Sequence, residues 1–112
     1  MFWRLLDLTL FIFLVNVTVP TQELLSTVAM SVRSSEWKWL GRALGLTEPN
    51  LEQIEHKEKD LAEICYQMLL KWQRVNGFRA TSQVLKKGLS SVKRDDLTEM
   101  IEDARHLPKW RS

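Results

Sequence analysis

Cysteine and histidine are scarce in this chain of 112 residues, and their scarcity excludes several kinds of site. Cys65 is the only cysteine, so the chain cannot form an internal disulfide, and His56 and His106 are the only histidines. Secreted domains of this size usually need disulfides for stability, so one unpaired cysteine indicates a cytoplasmic protein. Metal sites usually gather several Cys, His or carboxylate ligands, and neither histidine has a partner at ligand spacing. We therefore expect no metal and no cofactor.

Glycine-rich phosphate loops and concentrated positive charge are missing as well. Gly41 and Gly45 lack both the preceding strand and the following lysine that a phosphate-binding loop requires. The 16 basic and 14 acidic residues nearly balance, and they form no basic stripe of the kind that nucleic-acid-binding proteins present. A chain this short has little room for an enclosed substrate pocket. These absences argue against an enzyme, a nucleic-acid partner and a small-molecule substrate, and they favour protein partners.

Long apolar runs are limited to residues 1–20. An apolar run from Leu8 to Val15 follows an early arginine, which is the general layout of a secretory signal. Asp7 interrupts the apolar region, no small-x-small cleavage site follows it, and its uninterrupted part is too short to span a bilayer. We interpret residues 1–20 as an apolar N-terminal extension without an assigned role. We expect the chain to bind a membrane only if this extension acts as an anchor.

From Gln22 onward the apolar residues recur at steps of three and four, which predicts helices and no strands. Turn signals divide this region into six short helices, so we predict an all-α, six-helix antiparallel bundle with one core. The core is predicted to contain the inward-facing residues of each helix: Leu25, Val28, Trp37, Leu40, Leu44, Leu51, Ile54, Leu61, Ile64, Met68, Leu69, Trp72, Val84, Leu85, Leu89, Leu97 and Ile101. Trp39 lies off this inner face, which leaves it available for an interface.

Residues with short polar side chains mark the expected helix starts, because their oxygen atoms can accept a hydrogen bond from the first turn. The predicted N-caps are Ser34 or Ser35 for the second helix, Thr47 for the third, Asp60 with Glu63 for the fourth, and Asp96 with Glu99 for the sixth. Gly45 is expected to end the second helix, and Asn76-Gly77 the fourth.

Several short motifs in this order resemble the death domain family. They read Trp37-Lys38-Trp39-Leu40, Leu44-Gly45-Leu46-Thr47, Ile54-Glu55, Tyr66-Gln67-Met68-Leu69 with Lys71-Trp72, Arg79-Ala80-Thr81 and Asp96-Leu97. The chain resembles the death domains of the Fas-associated adaptor, of receptor-interacting kinases, of tumour-necrosis-factor-type receptors and of ankyrins. Arg94-Asp95-Asp96-Leu97 partly resembles the Arg-x-Asp-Leu motif of the sister family of death effector domains. On this basis residues 21–105 are the predicted death domain and residues 106–112 a C-terminal tail.

The resemblance implies a non-enzymatic adaptor that assembles signalling complexes in apoptosis or inflammation by binding other death-domain proteins, and that can self-associate. Such assemblies use complementary rather than identical surfaces. The predicted interface residues are charged and lie on four helices: Lys38, Arg42, Glu48, Glu52, Glu55, Lys86, Lys87, Asp95, Asp96 and Glu99.

Two alternatives remain open at this point. One alternative to the adaptor is a membrane-tethered or receptor-derived death-domain protein. The other, less in keeping with the motifs, is a secreted helical ligand with residues 1–20 as signal. The unpaired Cys65 argues against the secreted ligand.

Overall fold

The computed structural model describes the backbone of residues 18–106 and the side chains of residues 18–102. Within this part of the chain there are six α-helices and no strand. The helices are α1 (Gln22–Ser31), α2 (Trp37–Ala43), α3 (Glu48–Lys57), α4 (Leu61–Asn76), α5 (Ser82–Ser91) and α6 (Asp95–His106), with a short 3₁₀ helix (Gly77–Arg79) after α4. The predicted helical fold class is confirmed. The predictions for residues 1–17 and for residues 107–112 lie outside the described residues.

Side-chain caps start four of the helices. The capping oxygen in each case accepts a hydrogen bond from the backbone N–H three residues later, which satisfies one of the free donors of the first turn. The capping residues are Thr21 of α1, Thr47 of α3, Asp60 of α4 and Thr81 of α5. The predicted caps Thr47 and Asp60 are therefore confirmed.

The predicted caps of α2 and α6 are wrong. Ser34 and Ser35 lie in a turn, and α2 begins at Trp37 after Glu36, which makes no side-chain cap. Asp96 lies inside the first turn of α6, because that helix begins one residue earlier at Asp95. The carboxylates of Glu36 and Asp96 instead accept hydrogen bonds from Arg94.

The core is a continuous apolar cluster from all six helices. Thirteen of the predicted core residues are in it, and Cys65, Ala80, Ala29, Val32 and Leu46 join them. Trp37 and Trp72 are its largest side chains and are almost completely buried, as expected from the large apolar area of an indole ring.

Four predicted core residues are not part of the fully buried cluster. Ile54, Leu61 and Ile64 are only partly buried and pack against the edge of the core. Val84 is 39% exposed, so its assignment to the core is wrong. It lies in the first turn of α5, whose inner face is filled by other residues of that helix, among them Leu85.

Helix α1 packs along α4, α5 packs against α6, and α2 contacts α3, α4 and α5. The approach of α2 to α3 is close: a Cβ atom added at Gly41 would lie 2.6 Å from Cδ2 of the buried Leu51. Gly45 ends α2 with φ +92°, a left-handed conformation that side chains with a Cβ disfavour. This packing holds α2 and α3 together as one surface of the domain.

The segment before α1 is joined by hydrogen bonds to residues more than 50 positions later in the sequence. The Thr18 carbonyl accepts hydrogen bonds from the Ser82 backbone N–H at 2.9 Å and from its hydroxyl at 3.3 Å. Gln73 donates to the carbonyl of the buried Pro20 at 2.7 Å. The start of α1 therefore lies next to the end of α4 and the start of α5.

Candidate protein-interaction surface

Four of the predicted interface residues pair with one another across α2 and α3. Lys38 and Arg42 are one helical turn apart on α2 and share a face of that helix. Lys38 Nζ lies 2.9 Å from Glu55 Oε1, and the Arg42 guanidinium binds both carboxylate oxygens of Glu48. The basic residues of α2 and the acidic residues of α3 are therefore adjacent, and each partly neutralises the other within the domain.

Trp39 lies on the same surface and is 63% exposed. The Arg42 guanidinium carbon is 5.1 Å from the centre of the Trp39 ring, within the range of a cation–π contact. Arg42 is therefore held between the indole ring and the Glu48 carboxylate. We call Lys38, Trp39, Arg42, Glu48 and Glu55 the α2–α3 surface.

The hydrogen bond between Arg42 and Glu48 raises the pKa of Arg42 and lowers the pKa of Glu48. Both side chains are more than a third exposed, and exposed ion pairs of this kind contribute little to folding. The α2–α3 surface is therefore charged at neutral pH and adds little to the stability of the domain. Its Trp and Arg side chains are the types enriched among residues that dominate binding energy at interfaces.

The other predicted interface residues are distributed over the rest of the domain. Lys86 Nζ lies 3.5 Å from Glu102 Oε1, so part of its charge is offset within the domain. Asp96 is held by Arg94. The remaining members are exposed and belong to none of the ion pairs seen among residues 18–102: Glu52, Lys87, Asp95 and Glu99. The structure therefore does not gather the predicted interface residues into one site.

Arg94 connects three parts of the fold that are distant in sequence. One guanidinium nitrogen donates to the Ser31 carbonyl at 2.9 Å and to Glu36 Oε1 at 2.7 Å. The other side of the guanidinium binds both carboxylate oxygens of Asp96, at 2.9 and 3.0 Å. Arg94 and Asp96 of the Arg-x-Asp-Leu motif thus join the end of α1, the α1–α2 loop and the start of α6. The role of this Arg94 cluster is structural, since the Arg94 and Glu36 side chains are only 14% and 17% exposed.

The pKa values in this cluster follow from its geometry. Hydrogen bonds to Asp96 raise the pKa of Arg94 and lower that of Asp96. Burial tends to raise the pKa of Glu36, but the bonds from the Arg33 backbone N–H and from Arg94 outweigh it, and the net shift is downward. All three groups are therefore charged at neutral pH.

Three basic residues that the helical pattern does not single out lie along a groove of about 210 Å³ between α3 and α4. We call this the α3–α4 groove. It is lined by Asn50, Gln53, Ile54, Lys57, Glu58, Gln67, Lys71 and Arg74. The sequence pattern shows only that these three cations lie on polar faces of their helices. The groove cannot be predicted from it, because the groove forms where two helices meet.

Cys65 has the environment of an inert thiol. It is completely buried in the core, and burial raises its pKa to about 12. The thiolate is the reactive form, so the native domain holds this cysteine in its unreactive state at neutral pH.

Among the helices of residues 18–106, none has the length and apolar content needed to cross a bilayer.

Comparison with known proteins gives a family and a relative. The death domain family model matches residues 22–105, three quarters of the chain. Tumor necrosis factor receptor superfamily member 10B of Mus musculus is 37% identical over 67 residues, which are 60% of this chain. The match covers 18% of that receptor, so the chain spans less than a fifth of the length of this relative. The helical fold, the ordered motifs and the family match together show that this chain belongs to the death domain family.

Proposed function

We propose that this chain is an adaptor that assembles signalling complexes by binding other death-domain proteins through the α2–α3 surface. Death domains are protein-interaction modules rather than enzymes, and the family membership supports this class of function. A cytoplasmic location belongs to the proposal, because the partners of such an adaptor are the death domains of signalling proteins.

The observation that carries the proposal is the exposure of Trp39. A tryptophan that is 63% exposed keeps a large apolar area in water, which is unfavourable for the isolated domain. Contact with Arg42 holds this ring beside two charged pairs. A partner that covered the ring would remove apolar area from water and could replace the internal partners of Lys38 and Arg42 with its own charges.

The test is the association of the full chain with itself and with the death domain of the similar mouse receptor, followed by light scattering and titration calorimetry. We expect Trp39→Ala to weaken binding by about 2 kcal/mol, the usual scale for an interface hot spot. The free energy of unfolding should change by less than about 0.5 kcal/mol, since the side chain is mostly exposed. Arg42→Glu places like charges together beside Glu48 and should also weaken binding while the helical fold is retained.

Met30→Ala is the matched control, because Met30 is an apolar residue of α1 that is 69% exposed. Equal binding by wild type, Trp39→Ala and Arg42→Glu would show that the α2–α3 surface is not the contact. Failure of the wild-type chain to bind itself or any death domain would contradict the adaptor proposal itself.

The relative supports one alternative, a receptor-derived or membrane-tethered death-domain protein. Fractionation of cells that express the full chain separates the two. Recovery in the soluble fraction supports the adaptor, whereas recovery with membranes that salt and carbonate washes do not remove supports the tethered protein.

A further inference from the structure

Two apolar side chains are exposed where α4 ends. Val75, in the last turn of that helix, is 60% exposed, and Phe78 of the 3₁₀ helix is 82% exposed. Phe78 is the most exposed large apolar residue among residues 18–102. Because apolar area in water is unfavourable, this end of the domain is suited to contact with an apolar phase.

Basic residues flank these apolar side chains. Lys71 lies three residues before Arg74 and four before Val75, spacings that place it beside both on the surface of α4. Arg79 follows Phe78 directly in the 3₁₀ helix. We call Lys71, Arg74, Val75, Phe78 and Arg79 the α4 tip.

The cations of the α4 tip have little negative charge near them. None of the three belongs to an ion pair seen among residues 18–102, and the chain has no acidic residue between Glu63 and Asp95. Lys57 adds a positive charge across the α3–α4 groove, where Glu58 is the only carboxylate of the lining. The α4 tip therefore attracts negatively charged partners.

The α2–α3 surface has a different balance of charge. There too an exposed ring, that of Trp39, lies beside basic residues, but the carboxylates of Glu48 and Glu55 pair with those cations. Paired charges of both signs suit a protein partner, whereas their carboxylates would repel an anionic bilayer. At the α4 tip the cations and the apolar side chains occur without carboxylates, which is the combination that binds anionic membranes.

The apolar extension joins the domain at the same end of the bundle. Thr18 and Pro20 are hydrogen-bonded to residues on either side of the 3₁₀ helix. These bonds bring Val19, which is 40% exposed, to the connection between α4 and α5. The α4 tip and the attachment point of residues 1–17 are therefore on one side of the domain.

We infer that the α4 tip docks on the surface of an anionic lipid bilayer. Phe78 and Val75 enter the headgroup region, and the three cations of the tip bind the acidic groups of the lipids. The contact goes beyond the proposed function, because its partner is a membrane. It uses no residue of the α2–α3 surface and does not need residues 1–17 as an anchor. Docking raises the local concentration of the chain for death-domain binding.

Co-sedimentation of the full chain with lipid vesicles tests this contact. Vesicles of phosphatidylcholine mixed with phosphatidylserine should bind the chain at least about tenfold more tightly than vesicles of phosphatidylcholine alone. Salt should release the bound chain, which a membrane-tethered protein would resist. Phe78→Ala should weaken binding about tenfold, since the ring no longer enters the bilayer. Arg74→Gln with Arg79→Gln should weaken it about tenfold or more, on the basis of about fivefold for each cation.

Met30→Ala and Arg33→Gln are the matched controls for the apolar and the basic changes. Both residues are exposed, but they lie near or beyond the end of α1, about 12 Å or more along the helix from the start that contacts α4. Both variants should bind vesicles as wild type does. Trp39→Ala should keep vesicle binding and lose death-domain binding, whereas Phe78→Ala should do the reverse. Circular dichroism checks that every variant keeps its helices.

Three outcomes would overturn the inference. The first is equal binding of the wild type to neutral and to anionic vesicles, or binding to neither. The second is equal vesicle binding by wild type, Phe78→Ala and the double arginine variant. The third is a Phe78→Ala variant that loses death-domain binding and keeps vesicle binding, which would make the α4 tip a protein contact. Death-domain binding that still depends on Trp39 in any of these cases leaves the proposed function standing.

Discussion

Replacement of Arg94 by glutamine should be one of the most destabilising changes at a charged residue of this domain. The side chain donates to the Ser31 carbonyl, to Glu36 and to both oxygens of Asp96. Glutamine is too short to reach all three groups and carries no charge. Arg94→Gln therefore leaves the Glu36 carboxylate, which is 17% exposed, without its cationic partner.

The magnitude follows from these contacts. Asp96 is 64% exposed, so its bonds to Arg94 contribute little to stability. Hydrogen bonds that involve a charged group contribute about 1.5–3 kcal/mol when they are shielded from water. The bonds to Ser31 and Glu36 are of that kind, although partial exposure reduces them. We expect Arg94→Gln to lower the free energy of unfolding by about 3 kcal/mol and the Tm by roughly 15 °C.

The stability lost in Arg94→Gln should also depend on pH. The folded-state pKa values of Glu36 and Asp96 are lowered, so their contribution is fully present above their ordinary pKa values near ~4. It is lost as the pH falls through the lowered values, because the carboxyl groups then become protonated. The stability gap between wild type and Arg94→Gln should be widest near neutral pH and should narrow below about pH 4.

Urea unfolding followed by circular dichroism at a series of pH values measures this gap. Arg79→Gln, at an exposed arginine of the 3₁₀ helix, is the control and should behave as wild type. A loss of less than 1 kcal/mol at neutral pH, or a gap that does not narrow in acid, would refute the assigned role of the Arg94 cluster.

Three further experiments probe the helices and the core. Gly41→Ala should lower the free energy of unfolding by about 1–3 kcal/mol, measured in urea, because the new Cβ meets Leu51 and the clash exceeds the gain in helix propensity. An increase in stability would show that α2 and α3 can move apart. Thr47→Ala should cost about 1 kcal/mol in the same assay through the lost bond to the Asn50 N–H, and Thr47→Ser should recover most of it. Cys65 should resist a thiol reagent at neutral pH in the native domain and react readily in denaturant, since burial raises its pKa to about 12; fast native labelling would contradict its burial.

The helices and most of the core could be predicted because a one-dimensional repeat of three and four residues places side chains on one face. Helix α4 is the clearest case: Cys65, Met68, Leu69 and Trp72 follow that spacing and are all buried. Val84 shows the limit of the pattern. Its spacing fits an inner face, but the first turn of α5 leaves it 39% exposed, and only the positions of the neighbouring helices decide that.

Interactions between residues that are distant in the sequence could not be predicted. Arg94, which binds Asp96 at the start of α6, also donates to the Ser31 carbonyl, which is 63 positions away, and no local pattern indicates that contact. The sequence singles out the charged residues of α2 and α3 as candidates, but the pairing of Lys38 with Glu55 appears only when the two helices meet. The α3–α4 groove was missed for the same reason, since its cations come from two helices.

The hydrogen bonds of Thr18 also determine when the domain can be completed during synthesis. Its carbonyl binds Ser82, 64 positions later, and the Ser31 carbonyl binds Arg94 at a similar separation. Both ends of the first helix therefore gain these hydrogen bonds only after more than 60 further residues have been synthesised. Until then the core lacks the buried side chains of α5 and α6, among them Leu85, Leu89 and Ile101, and the apolar surface that they cover stays exposed, which is the kind of surface that chaperones bind. A nascent chain stalled before Ser82 should accordingly remain sensitive to proteases, although four of its six helices have already been made.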